Sequence, residues 1–266
     1  MLWKSNLKIN SSLVSWGVIL LCLVGITRLQ IPQLNQLLNK SKTASFAELK
    51  KDIEAEKARL SLVNTMPSLG FNNLISDWVM LNFIQYFGDN EVRDRTGYDL
   101  SSEYFEIIID RDPRFLDSYI YLSTSITLFA GKPEKSVALM EKGLKSLSPE
   151  MPPKYYYIWR YKAIDELLFL GNAKAAQKSF EKSAEWAIIR PDLESQKVAM
   201  LSRKTANFLA KNPNSKSAQV GAWSMVLANS LDQRVRNLAI ARIEALGGKV
   251  IRTPQGEIQV ILPKKD

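Results

Sequence analysis

The sequence predicts an all-α protein: an N-terminal transmembrane helix, then a repetitive helical body, then a small C-terminal β-hairpin. Three observations carry this. Residues 9–27 hold no charge and are bounded by Lys8 and Arg28. A shift of 40 residues superimposes one helix–glycine–helix segment on another. The apolar period changes from that of a helix to that of a strand only after Gly247-Gly248.

The uncharged run centres on LVSWGVILLCLVGI, residues 13–26. An apolar helix of about 20 residues crosses a hydrocarbon core of about 30 Å, and Trp3 is placed to sit at the interface. A cleaved signal fits poorly, because Gly25-Ile26-Thr27 and then Arg28 replace a small-x-small site. A lipoprotein signal fits no better, since Leu21 precedes Cys22. Residues 1–28 therefore read as a stub and an uncleaved anchor. Lys4 and Lys8 on one side nearly balance Arg28, Lys40 and Lys42 on the other. The short stub makes a cytoplasmic N-terminus natural, with the body periplasmic or lumenal.

Residues 29–70 form a connector and a helix. Pro32 is expected to stop the anchor helix. Ser45-Phe46-Ala47-Glu48 has the form of a capping box, in which hydroxyl and carboxylate satisfy the free amides of a helix start. The helix then runs to about Asn64 with Phe46, Leu49, Ile53 and Leu60 on one stripe, and Met66-Pro67-Ser68-Leu69-Gly70 ends it.

Residues 71–191 carry the repeat. The 40-residue shift pairs Tyr121 with Tyr161, Leu128 with Leu168, Phe129 with Phe169, Gly131 with Gly171, Glu141 with Glu181 and Lys142 with Lys182. The two glycines suit a left-handed helix C-cap. Each second helix then carries a small, a large and a small residue: Ser136, Met140, Gly143 and Ala176, Phe180, Ser183. Ser101, Phe105 and Ile108, with Pro113 following, repeat the pattern earlier in the chain, after a first helix at 71–87 whose Tyr86 matches Tyr121 and Tyr161.

These residues resemble the tetratricopeptide repeat (TPR) family, whose second helix has this small–large–small pattern and a proline a few residues later; Pro149 and Pro191 stand there. The units are degenerate. Their shifts are 35 and 40 residues against about 34 in the family, the extra residues lie around Met151-Pro152-Pro153-Lys154, and Ser123-Thr124 and Ala163-Ile164 replace the family's Leu-Gly pair. The resemblance implies an α-solenoid whose first helices line a concave groove for a protein partner. Carried over position by position, that groove includes Ser118, Tyr121, Ser125, Leu128 and Phe129, then Ile158, Tyr161, Asp165, Leu168 and Phe169, with Tyr86 extending the tyrosine column. Tyr86, Tyr121, Ser125, Tyr161 and Asp165 are the candidate partner-binding residues, while the two Leu-Phe pairs read as inter-helix core. The layout also looks like membrane-anchored TPR proteins of cyanobacteria and related bacteria, some of which help assemble membrane complexes. It implies an adaptor or assembly factor for a membrane complex, photosynthetic if the membrane is a thylakoid. The alternative is a stable, stoichiometric subunit of such a complex.

Residues 192–248 supply further helices. One starts at Asp192-Leu193-Glu194 and runs to about Leu209; Asn212-Pro213-Asn214-Ser215 breaks the chain; two more cover 215–229 and 232–246, the last with Val235, Leu238, Ala239, Ile243 and Leu246 on one face. In residues 249–266, Val250 and Ile251, then Ile258, Val260 and Ile261, flank Thr253-Pro254-Gln255-Gly256 as a hairpin. A lone hairpin is marginal in water, so this one is expected to cap the end of the helical body.

Composition narrows the chemistry. The 266 residues include no histidine and one cysteine, Cys22, which excludes Ser-His-Asp and Cys-His catalysis, imidazole metal sites and internal disulfides. The chain carries +9, and its last 72 residues, with 12 basic and 4 acidic side chains, hold +8 of it. Arg203, Lys204, Arg234, Arg236 and Arg242 are therefore candidates for contact with anionic headgroups or an acidic protein. Nucleic acid is not expected, since no reader module is present. Ser5-Lys8 and Ser179-Lys182 have a Ser-x-x-Lys spacing that arises readily by chance. The carboxylate pairs Glu103/Glu106 and Asp110/Asp112, the only basis for a cell-envelope hydrolase, read as solvated helix surface. Asp89-Asn90-Glu91 and Asp94 are oxygen-rich but lack the EF-hand spacing. The expectation is a binding protein and not an enzyme, with no catalytic residue, cofactor, metal or small-molecule substrate.

Overall fold

The computed structural model describes residues 11–229, 233–252 and 258–264. Trp3, Lys4, the Ser5-Lys8 pair, Asp232 and the Thr253–Gly256 turn lie outside them. The chain divides into two compact units, Met1–Asp52 with Asp89–Thr96, and Ile53–Gly88 with Gly97–Asp266.

The first unit contains α1 (Ser11–Thr43), the start of α2 (Phe46–Thr65) and α4 (Asn90–Thr96). Within α1, Ser15–Leu34 is long and apolar enough to cross a membrane, and none of it is buried against protein. Pro32 does not stop this helix, which continues to Thr43. A proline removes one backbone bond, here to the carbonyl four residues earlier, and the Gln- and Leu-rich residues that follow are good helix formers. The capping box at α2 is formed: the Ser45 amide donates to Glu48 Oε2 at 2.7 Å and the Glu48 amide to Ser45 Oγ at 3.3 Å. Phe46, assigned to the apolar stripe, is 58% exposed. In α4, the Val92 amide is capped by Asp89 Oδ1 at 3.3 Å, and Arg95 Nη1 donates to the Ala44 carbonyl at 3.0 Å.

The second unit continues α2 and adds α3 (Asn72–Gly88), α5 (Ser101–Arg111) and α6 (Ser118–Leu122), which runs on as a π-helical segment, Ser123–Phe129. It then has α7 (Pro133–Leu144), α8 (Tyr156–Leu168), α9 (Ala173–Ile188), α10 (Leu193–Lys211), α11 (Lys216–Asn229), α12 (Gln233–Ala245), β1 (Lys249–Arg252) and β2 (Ile258–Ile261).

The 40-residue repeat is visible in the backbone. After α6 the amides of Ala130 and Lys132 donate to the carbonyls of Ser125 and Ile126; after α8 those of Leu170 and Asn172 donate to Asp165 and Glu166. Gly131 and Gly171 close the two turns at φ +66° and +61°, where a side chain would be strained. The matching positions are buried in all three copies: Ser136, Met140, Gly143 and Ala176, Phe180, Ser183 are small–large–small, and in Ser101, Phe105, Ile108 the large Ile108 stands at the second small position. Gly143 has a specific reason to be glycine, because a Cβ there would lie 1.9 Å from Tyr119 Oη. The earliest copy departs from the other two: α3 reaches α5 through a longer connection that contains α4, and Tyr86 Oη fastens its end by accepting from the Leu100 amide at 3.3 Å.

At the C-terminal end, α11 and α12 fold over the first helices of the repeats. Leu128, Leu168 and Phe169 pack against Val220, Trp223, Leu227, Ala239 and Ile243, with the Phe169 and Trp223 rings 5.5 Å apart. The antiparallel hairpin pairs Lys249 with Ile261 and Val250 with Val260, and both valines join this cluster. Leu238, assigned to the apolar face of α12, is 37% exposed.

Candidate functional site

The five residues expected in the groove have different fates. Asp165, on α8, is only 1% exposed. It accepts hydrogen bonds from Ser123 Oγ (2.8 Å), Thr127 Oγ1 (2.8 Å) and Ser136 Oγ (2.7 Å). Ser123 and Thr127 come from the π-helical segment and Ser136 from α7, so one carboxyl ties the third hairpin to both helices of the second. Burial pushes its pKa up to about 7, the nearby Glu166 charge adds to this, and the three hydroxyls offset part of it. Ser125 is also buried. Tyr161 is half-buried, and desolvation pushes its hydroxyl up to about 12. Tyr86 is half-buried and its ring lies tilted against that of Tyr104, with centroids 5.2 Å apart. Only Tyr121, at 38%, counts as exposed. Opposite Tyr161 and Asp165 stand Met225, Val226 and Val235 of α11 and α12, which leave a space of about 40 Å³.

A second buried set lies one turn along α8. Lys162 Nζ is 2.5 Å from Glu166 Oε1, 3.1 Å from Glu141 Oε1 and 3.2 Å from Ser179 Oγ, while Ser179 donates to Glu166 Oε2 at 2.6 Å. A Ser-Lys nucleophile needs a neutral lysine to accept the hydroxyl proton. Two carboxylates surround this lysine, and the serine proton points at Glu166 and not at the lysine. The Ser179-Lys182 spacing brings no pair together, since Lys182 turns outward to Glu185 at 2.7 Å. One member of each carboxylate pair meets a lysine: Glu106 pairs with Lys135 at 3.2 Å, and Asp110 with Lys142, whereas Glu103, expected on solvated surface, is half-buried with its Oε2 enclosed and without a hydrogen-bond partner among the described residues. Asp112 accepts from the Arg114 amide at 2.9 Å. Among the described residues no group of three or more His, Cys, Asp or Glu is arranged to hold a metal.

The basic end also separates on inspection. Arg234 reaches back to Tyr98, donating to its hydroxyl at 3.0 Å and lying 5.3 Å over the Phe129 ring. Arg236 lies beside the hairpin with Ile240 and Val250, and Arg242 is exposed on α12. Arg203 and Lys204 are exposed on α10, where they line a cleft of about 880 Å³ facing α11.

One surface was not singled out from the sequence. On α3, Ser76, Val79, Met80 and Phe83 are buried. The opposite side carries Phe71 at the helix start, then Leu74, Trp78 and Leu81, exposed by 62%, 61%, 44% and 61%. The signal was present in the composition: a helix apolar all round is covered all round, and the segment FNNLISDWVMLNFIQYF is apolar on both faces. Trp78 is held in place by the Arg59 guanidinium, 5.0 Å from its ring. No protein-family model, curated protein or solved structure matches this chain.

Proposed function

We propose that this protein is a membrane-tethered scaffold of degenerate TPR-type hairpins that binds a protein partner and serves as an adaptor or assembly factor for a membrane complex. The observation that carries the reading is the uncovered face of α3. Phe71, Leu74, Trp78 and Leu81 form a stripe about 15 Å long at 1.5 Å per residue, which suits an apolar helix of a membrane-complex subunit. The Ser15–Leu34 helix, as an anchor with its N-terminus in the cytoplasm, would hold the body at the bilayer where such subunits are inserted. The matching turns at Gly131 and Gly171 and the two buried small–large–small sets on α7 and α9 support the TPR assignment.

Co-purification in mild detergent tests the surface. L74E/L81E changes two exposed side chains and is expected to release the partner while the helical content stays unchanged. Retention of every partner by L74E/L81E, and also by Tyr121→Ala, would refute it. Abundance equal to that of the complex would favour a permanent subunit. Protease treatment of intact vesicles reads the orientation.

A further inference from the structure

We infer that the cleft between α10 and α11 is a binding site for a long-chain fatty carboxylate, with the acid group at Arg160 and the chain along the apolar wall. This goes beyond the scaffold reading and does not depend on it.

The cleft lined by the two helices holds about 880 Å³, within the range of about 300–1,000 Å³ typical of small-molecule sites. Phe180, Met200, Leu201, Phe208 and Ala222 supply apolar walls. The floor is unusual. Arg160 is 8% exposed; its guanidinium donates to Ser202 Oγ at 2.6 Å and to Met225 Sδ at 3.0 Å, and its Nε has no acceptor. It forms no ion pair among the described residues, and none of the described carboxylates lines the cleft. A buried charge is stable only when paired, so this site suits an anion that the described residues do not themselves provide. Arg203, Lys204 and Lys211, also lining the cleft, strengthen the positive field.

The shape selects among anions. On α11, Gly221 lines the cleft, and a Cβ added there would meet nothing within 4 Å. A slim alkyl chain can lie in that space and carry its carboxylate to the floor. A docked acidic helix would keep its carboxylates at the rim and leave Arg160 unpaired.

The test uses the full chain in phosphatidylcholine nanodiscs, with a diazirine-bearing palmitic acid and the matching alcohol as probes, and crosslinks mapped by mass spectrometry. Acid crosslinks are expected on α10 and α11, with the acid preferred over the alcohol by about tenfold, as for a charge-assisted contact. Gly221→Phe, which fills open space and leaves folding intact, is expected to lower labelling by about tenfold, equivalent to about 1.4 kcal/mol. Arg160→Gln should remove the acid preference while labelling of the cleft by the alcohol persists. Equal labelling by acid and alcohol, undiminished labelling of G221F, or crosslinks elsewhere would each overturn the proposal. So would an acidic amphipathic peptide that binds the cleft while the fatty acid does not. If R160Q fails to fold, the G221F and acid–alcohol comparisons decide alone.

Discussion

Replacing Asp165 by asparagine should stabilise the protein at alkaline pH and leave it unchanged at acid pH. Unfolded, this carboxyl gives up its proton near 3.8; folded, near 7. Between those values the folded chain holds the extra proton, so stability falls as pH rises. The contribution is present in full below about pH 4 and is lost as pH climbs through 7. At about 1.4 kcal/mol per pH unit the loss is on the order of 4 kcal/mol. Asparagine mimics the protonated acid: its carbonyl oxygen can accept from two of the hydroxyls of Ser123, Thr127 and Ser136, and its amide can donate to the third. The stability of D165N minus that of the parent should therefore be near zero at pH 4 and reach about 4 kcal/mol at pH 8.5. For a chain of this size that is a rise in Tm of about 8 to 16 °C. Thermal unfolding followed by far-UV circular dichroism in neutral detergent measures it, and taking the difference cancels the titrating groups that do not interact with Asp165. A difference that stays flat with pH would refute the reasoning. It would mean that the three hydroxyls hold Asp165 as a comfortable anion and that desolvation does not dominate.

Three further outcomes follow from the packing. Lys162→Met leaves Glu166 buried without its cation and should lower stability by about 3–5 kcal/mol, with K162M/E166L recovering most of the loss in chemical denaturation. Gly143→Ala drives a methyl group into Tyr119 Oη and should cost about 1–3 kcal/mol, and G143A/Y119L should lose less than the sum of the two single changes. The chain should stay in the membrane fraction through an alkaline carbonate wash, and removal of residues 1–34 should release it; release of the intact chain would exclude Ser15–Leu34 as an anchor.

The parts of the fold legible in the sequence are those set by local chemistry. The capping box at Ser45, the N-cap at Asp192, whose Oδ1 accepts from the Ser195 amide at 3.0 Å, and the left-handed glycines each depend on a few adjacent residues. Pro32 misled because its local penalty is a single missing bond, which a long run of helix formers on either side can absorb. The candidate site was less legible because its polar residues answer to distant partners. Asp165 aligns with Ser125 in the repeat, and both positions are buried. Nothing near Asp165 in the chain announces that hydroxyls 29 to 42 residues away will enclose it. The exposed stripe of α3 could have been found by asking whether a helix apolar on two faces has enough neighbours to cover both.

The cover that α11 and α12 lay over α8 and the π-helical segment bears on where the proposed partner sits. Val220, Trp223, Leu227, Ala239 and Ile243 bury themselves against Leu128, Leu168 and Phe169, which lie on the side that the TPR resemblance would make a groove and which the sequence already reads as inter-helix core. Exposing a buried apolar side chain costs about 1.5–3 kcal/mol for the larger ones, so lifting α11 and α12 from this face would cost on the order of 7 kcal/mol or more. A micromolar complex releases about 8 kcal/mol. A partner entering the groove would thus spend nearly all of its binding energy displacing the chain's own helices. The face of α3 requires no displacement, because Leu74, Trp78 and Leu81 already meet solvent. For the same reason substitutions of Tyr161 should act on stability before they act on binding, whereas those of Leu74 and Leu81 should act on binding with the fold unchanged.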